Sequence, residues 1–161
     1  MHLLIALDNS PLNERITEFL KAFFLHLNQL PVFSFIHVIN NNFIGDVIVY
    51  PDISMKFDVA NRTLENDAVL ISELRKDGQR AIEEIQKKLS ITGSMDFPLG
   101  DPVSVLIEAC KQKQPDFFVM GTHSRKGINH FLFGNFAEKM VQHVNVPLII
   151  IPEKIKHEIT S

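Results

Sequence analysis

A predicted strand, a glycine-bearing loop and a predicted helix start are the part of this sequence best suited to chemistry. The strand is predicted at Phe117–Met120, four consecutive apolar residues. Gly121 and Gly127 lie in the loop that follows it. Gly134 then precedes a predicted helix that begins at Asn135. Glycines let a backbone approach a ligand closely, and the free N–H groups of a helix start attract anions. The pattern therefore indicates a phosphate site, although glycines at strand ends also serve as plain turns.

A carboxylate follows the first predicted strand in a similar position. The strand is predicted at residues 2–7, and Asp8 comes directly after it. Ser10 can cap the next helix, and Pro11 fits its first position. Asp8 could meet the base or ribose of a nucleotide, or it could simply shape the turn before the helix. The residues alone leave both interpretations open.

Strands and helices alternate along the chain, which predicts an α/β protein with a single doubly wound sheet of five parallel strands. A long loop is predicted at residues 40–61, before the second helix. Strands are predicted at residues 2–7, 32–39, 94–99, 117–120 and 147–151, and helices at 11–27, 62–89, 102–114 and 135–143. Ligands of such sheets bind beyond the carboxyl ends of the strands, where the strand order reverses. Asp8 and Gly121 both lie just past strand ends.

Size and composition predict one globular domain without a nucleic-acid or membrane partner. The chain has 161 residues, 45% of them apolar and 22% charged, which is ordinary for a soluble protein. The net charge is −3 and basic residues are scattered, so no nucleic-acid surface is expected. No apolar stretch reaches membrane length and no signal core is found, so a cytoplasmic location is expected. The single cysteine, Cys110, is interpreted as a buried thiol.

Catalytic and metal-binding patterns are missing from the sequence. His123, His130 and His143 lack the spacing of metal ligands. No nucleophile elbow accompanies a histidine and an acid, and the Walker pattern is absent. His37 lies within a predicted strand and is interpreted as a packed core histidine. We therefore expect neither catalytic residues nor a metal site.

The glycine loop resembles the nucleotide-binding signature of the universal stress protein family. The family pattern is Gly-x-x-Gly-x9-Gly-Ser/Thr, and the chain has Gly121-x-x-Ser124-x9-Gly134-Asn135. Four other segments are similar to the family's opening strand and its Asp, its second strand, its third-helix entry and its closing strand: Leu3–Ser10, Ile36–Ile39, Gly100–Pro102 and Val146–Pro152. The resemblance covers residues 1–153 as one domain, followed by a polar tail at 154–161.

The resemblance implies a fold, a ligand and an assembly. The fold is Rossmann-like, similar to the adenine nucleotide alpha hydrolases, with strand order 3-2-1-4-5. The ligand is ATP or AMP, with magnesium as a counter-ion, and the assembly is a homodimer through the final strand at 146–152. Residues near the adenine, ribose and phosphates are implied to be Ala6, Leu7, Asp8, Val38, Met120, Gly121, His123, Ser124, Gly127, Gly134, Asn135 and Phe136.

Two positions depart from the family pattern. Ser124 replaces a glycine, so left-handed backbone there would cost about 1–2 kcal/mol, although its hydroxyl could donate to a phosphate. Asn135 replaces Ser or Thr, and with Glu138 three residues later it is typical of a helix cap that needs no ligand. The family includes members that bind ATP and members that do not, and the departures keep both types open.

The leading hypothesis is a cytoplasmic nucleotide-binding regulator of the stress response that acts as a homodimer. A universal stress protein that acts through protein contacts without ATP is the first alternative. A slow ATP hydrolase or adenylyl-transferring enzyme is the second, but Asp8 is the single obvious carboxylate near the site and the adenylating Ser-Gly-Gly-x-Asp-Ser loop is absent. A phosphoacceptor receiver domain would need paired acids where the chain has Asp8 and Asn9.

Overall fold

The computed structural model of the chain describes residues 1–40, 64–122 and 135–153, in which strands and helices alternate as predicted. The strands are β1 (His2–Ala6), β2 (Val32–Ile36), β3 (Ile39–Asn40), β4 (Ser94–Asp96), β5 (Leu99–Gly100), β6 (Phe117–Thr122) and β7 (Leu148–Pro152). The helices are α1 (Leu12–Phe24), α2 (Leu64–Leu89), α3 (Pro102–Lys113) and α4 (Asn135–His143). Most predicted ends differ from these by one to three residues, as is usual for element boundaries.

Five strands form one parallel sheet in the order β4-β2-β1-β6-β7. Strand β1 pairs with β2 on one side and with β6 on the other, for example Ile5 with Phe35 and with Val119. Counting these five strands along the chain gives the order 3-2-1-4-5, so the predicted fold class and order are confirmed. The chain adds β2 and β4 on one side of β1 and then adds β6 and β7 on its other side, so the strand order reverses between β1 and β6.

The second and third predicted strands are each interrupted, which corrects the prediction of continuous strands at 32–39 and 94–99. Strands β3 and β5 pair as a separate two-stranded sheet. Ile36 pairs with Asp96 and Ile39 with Leu99, so the register is the same on both sides of the break. Pro98 lies in the break, and because proline has no N–H it cannot donate to a strand ladder.

Two apolar clusters lie on the two faces of the sheet. The first, which we call the α1/α2 cluster, includes the buried residues Leu3, Ile5, Leu7, Ile16, Leu20, Phe33, Phe35, Ile82 and Ile85. The second, the α3/α4 cluster, includes Leu4, Ile36, Leu106, Cys110, Phe118, Met120, Ala137 and Met140. Within the described ranges, none of the helices is long and apolar enough to cross a membrane.

Cys110 is buried, which confirms its interpretation as a buried thiol. Its side chain is buried against the sheet from α3. Burial penalises the charged thiolate and raises the pKa of Cys110 to about 11. The thiol is therefore neutral at neutral pH and serves as a small apolar group.

A line of polar side chains crosses three strands near their amino ends. His2 Nε2 lies 2.9 Å from Ser34 Oγ, and Ser94 Oγ donates to Ser34 Oγ at 3.0 Å. Ser34 is buried, and it pairs directly with Ser94 in the β2–β4 ladder. The line therefore satisfies a buried hydroxyl that would otherwise cost free energy.

Strand β7 lies at the edge of the five-stranded sheet, as predicted for the last strand. Phe118 N donates to Pro147 O, and Glu153 N donates to Thr122 O. A parallel strand uses alternate residues toward one neighbour, so the odd-numbered residues of this segment bond to β6. The backbone groups of Leu148 and Ile150 consequently point away from β6, toward the outer side of the edge.

Candidate functional site

Strands β1, β2, β4 and β6 are parallel, so their carboxyl ends all lie at the same end of the sheet. Helices α1, α3 and α4 each follow a strand that finishes at this end, so their N-termini lie toward it. Asp101 caps α3, since its Oδ2 accepts from Ser104 N at 2.9 Å and from Ser104 Oγ at 2.8 Å. These bonds lower the pKa of Asp101. Helix N-termini carry partial positive charge and suit an anionic ligand.

Asp8 forms a tight turn between β1 and α1. Its Oδ1 accepts from Ser10 N at 3.0 Å and from Ser10 Oγ. Its backbone is held by Asn13, whose amide donates to Asp8 O and accepts from Asp8 N at 3.4 Å. Ser10 Oγ also accepts from Leu12 N at 3.2 Å, so Ser10 satisfies an N–H of the first turn, although the residue at the N-cap of α1 is Pro11 and not Ser10 as predicted. Asp8 therefore shapes the turn, and its exposed side chain lies at the strand ends.

Four of the predicted site residues share one apolar surface. Ala6, Val38 and Phe136 are half-buried and pack with the buried Met120 in the α3/α4 cluster. Leu7 differs, because its side chain packs in the α1/α2 cluster on the opposite face. The structure thus places Ala6, Val38, Met120 and Phe136 on one face of the sheet and the Leu7 side chain on the other.

Gly121 has a packing role at the end of β6. A Cβ placed there would lie 3.1 Å from both Cβ and Cδ1 of Leu12, the first residue of α1. Glycine therefore lets α1 pack closely against the strand end, next to the Asp8 turn. Asn135 begins α4 and is exposed, which confirms the predicted helix start. The predicted ligands His123, Ser124, Gly127 and Gly134 lie outside the described residues, so their roles stay predictions.

His37 confirms the interpretation of a packed histidine, and its contact is one that the sequence did not predict. The side chain is 7% exposed, and its Nδ1 lies 3.1 Å from Leu7 O, directly before Asp8. Burial lowers the pKa of His37, and this effect outweighs the hydrogen bond to Leu7 and the charges of Asp8 and Asp77, which act in the opposite direction. The imidazole is therefore neutral at neutral pH. The signal for this contact in the sequence was a polar residue, His37, that directly follows a buried strand and precedes Val38.

Among residues 1–40, 64–122 and 135–153, no three histidine, cysteine, aspartate or glutamate side chains are grouped so as to hold a metal ion. The sheet order defines a doubly wound α/β protein in which the strand order reverses between β1 and β6. The family model described as the universal stress protein family matches residues 1–152. The chain therefore belongs to the universal stress protein family.

Individual relatives agree with this assignment. Universal stress protein MJ0531 of Methanocaldococcus jannaschii is 30% identical over 91 residues, which are 54% of this chain and 54% of that protein. The chain thus matches about half the length of that relative. The structure of hypothetical protein MJ0577 has a TM-score of 0.69 at 20% identity and covers 96% of each chain. An Arabidopsis thaliana universal stress protein family protein with AMP bound has a TM-score of 0.59 at 16% identity, over 96% of this chain and 92% of that one. These two likenesses establish the shared fold.

Proposed function

We propose that this chain binds an adenine nucleotide, ATP or AMP, in the crevice between the ends of β1 and β6. The observation that carries the proposal is the position of Asp8, two residues past the end of β1, and of Gly121, the last but one residue of the neighbouring β6, at the point where the strand order reverses. A structural relative of the same fold holds AMP, which supports an adenine nucleotide as the ligand class. The glycine loop between β6 and α4 supports a phosphate-bearing ligand.

The proposed pose follows from the chemistry of the strand ends. The half-buried Ala6 and Val38 offer an apolar surface against which an adenine ring can pack, while Met120 is buried and can contribute only through its backbone. The exposed Asp8 carboxylate is an acceptor for the hydroxyl groups of a ribose or the amino group of the base. The phosphates then extend toward the loop at 123–134 and the start of α4, with magnesium as their counter-ion. Leu7 contributes through its backbone in this pose, since its side chain packs on the other face.

We further propose that the protein is a cytoplasmic homodimer that regulates a stress response through its nucleotide-bound state. The proposed dimer pairs two copies of β7, whose Leu148 and Ile150 backbone groups point outward from the sheet. An unpaired strand edge is a template for pairing, and two-fold contacts are the commonest assembly of soluble proteins. The tail at 154–161 is the competing cover for the same edge.

Calorimetric titration with ATP and magnesium is expected to give a dissociation constant in the micromolar range, about 1–100 µM. Asp8→Asn keeps an oxygen that can accept from Ser10 but removes the charge, so it is expected to weaken binding by about tenfold while leaving the turn in place. The matched control is Asp116→Asn, a carboxamide at the opposite end of the sheet, where Asp116 N donates to His2 O.

The wild-type titration decides the proposal. If titration with ATP or AMP produces no heat and no thermal shift, nucleotide binding is contradicted. A universal stress protein that acts through protein contacts would then be favoured. Equal losses in Asp8→Asn and Asp116→Asn would show that the Asp8 carboxylate has no specific role.

The departures from the family pattern give a separate prediction. Ser124→Gly combined with Asn135→Ser restores the family residues, and we expect it to tighten ATP binding by about tenfold, because a glycine removes the cost of left-handed backbone. Titration of the double variant beside the wild type measures the change. Unchanged or weaker affinity would show that the serine hydroxyl and the asparagine amide already serve the ligand.

A further inference from the structure

His37 connects three elements beneath the proposed nucleotide site. Its backbone N donates to Asp96 O at 3.0 Å, at the end of β4. Its Nδ1 lies 3.1 Å from Leu7 O, just beyond the end of β1. Its ring lies against Gly78 of α2, because a Cβ at Gly78 would be 2.4 Å from His37 Cδ2 and 2.6 Å from its Cγ.

The bond to Leu7 fixes the state of the imidazole. A carbonyl oxygen can only accept a hydrogen bond, so Nδ1 must be the donor and must carry the proton. The neutral ring then has an unprotonated Nε2. This tautomer is a direct consequence of the geometry and can be measured by itself.

We propose that His37 is a positioning residue of the nucleotide site, holding the Leu7 carbonyl so that the following turn presents Asp8 to the ligand. The same segment is held by Ile36 O, which accepts from Leu7 N at 3.0 Å, and by Asn13 from the side of α1. Val38, the apolar contact proposed for adenine, is the next residue after His37. His37 is thus connected to both proposed contacts, by the hydrogen bond to the carbonyl directly before Asp8 and by the peptide bond to Val38. This inference rests on the proposed function.

Gly78 supplies the space that this ring needs. Glycine in the interior of a helix costs about 1 kcal/mol relative to alanine, so its presence in α2 requires a reason. The ring of His37 occupies the place of its Cβ. The helix therefore gives up intrinsic stability where the imidazole reaches the Leu7 carbonyl.

A matched pair of variants separates the hydrogen bond from the packing. Asparagine and leucine have side chains of the same shape, and the asparagine amide can donate close to the position of Nδ1. Both substitutions remove the imidazole, but only His37→Asn keeps a donor for Leu7 O. We expect the amides of Asp8 and Ser10 to exchange hydrogen about tenfold faster in His37→Leu than in His37→Asn, as for the loss of one hydrogen bond. The ATP dissociation constant should separate by a similar factor, about tenfold.

Two further measurements keep the His37 side chain unchanged. Nitrogen NMR of the wild type is expected to show a neutral His37 with its proton on Nδ1. Gly78→Ala should displace the ring and speed exchange at the Asp8 and Ser10 amides, although alanine favours the helix. Gln79→Ala, at an exposed neighbour on α2, is the control and should leave exchange unchanged.

The outcomes are distinguishable from those of the proposed function. Equal amide exchange in His37→Leu and His37→Asn, or a proton on Nε2, would overturn the positioning role whether or not ATP binds. Different exchange with equal ATP affinity would also overturn it, since the turn would then not matter to the ligand. A wild type that binds no nucleotide would contradict the proposed function, and amide exchange would still decide whether His37 holds the turn.

Discussion

Ile150→Pro is expected to convert the proposed homodimer into a monomer without breaking the sheet. The N–H of residue 150 points away from β6, so proline removes no bond of the β6–β7 ladder. In a two-fold pair of β7 strands the substitution removes a donor from each copy. Two lost hydrogen bonds are worth about 3 kcal/mol, so dimerisation should weaken by about 100-fold. Light scattering over a concentration series should change from twice 18.4 kDa to 18.4 kDa.

Ile150→Ala is the control for this experiment. It removes most of the same half-buried side chain, which packs in the α3/α4 cluster, but it retains the N–H. We expect it to remain a dimer with a stability close to that of the proline variant. A wild-type protein that stays monomeric at high micromolar concentration would contradict the dimer and would favour the tail as the cover of this edge. Equal dissociation in both variants would show that side chains, rather than backbone pairing, join the copies.

Gly93→Ala is expected to lower the free energy of unfolding by about 3 kcal/mol, near the upper end for overpacking. The added Cβ would lie 2.5 Å from the carbonyl oxygen of Phe33 and 2.8 Å from its Cβ. Phe33 belongs to β2, which lies between β1 and β4, so its backbone cannot move without disturbing two ladders. Gly93 O is itself fixed by the Gln86 amide at 3.2 Å. Thermal unfolding should show a midpoint lower by about 10 °C.

Thr92→Ala provides the comparison for Gly93→Ala, because Thr92 is the preceding residue and is exposed. A change within about 0.5 kcal/mol is expected there. If Gly93→Ala unfolds at the wild-type temperature, the approach of the two strands must be looser than the structure indicates.

The sequence was sufficient to predict the elements, since apolar spacing reports which side chains are buried. Leu12, Ile16 and Leu20 recur every four residues and are all buried on α1. Strand order could not be predicted in the same way, because the burial of side chains does not show which strands are neighbours. The order 3-2-1-4-5 required the family resemblance. The breaks in β2–β3 and β4–β5 were missed although Pro98 lies within the strand predicted at 94–99, where a residue without an N–H indicates an interrupted ladder.

The places of Asp8 and Gly121 near the ends of β1 and β6 were predicted from the sequence, but the directions of neighbouring side chains were predicted less well. A carboxylate after β1 and a glycine near the end of β6 were recognisable from sequence. The direction of Leu7 was also available, because side chains alternate along a strand and Leu3, Ile5 and Leu7 share one face. The contact between His37 and Leu7 O was not available, since it depends on a ring that fits against a glycine of a distant helix.

The polar line through His2, Ser34 and Ser94 also acts as a check on strand alignment during folding. If β2 slipped by one residue, the Ser34 hydroxyl would turn toward the phenylalanine-rich side of the sheet, and Phe33 and Phe35 would turn away from it. A misaligned sheet would then contain an unsatisfied hydroxyl and would lose two buried phenylalanine rings, Phe33 and Phe35, at the same time. The amino ends of the strands, remote from the proposed nucleotide site, thereby select the one alignment in which the opposite ends of the strands meet.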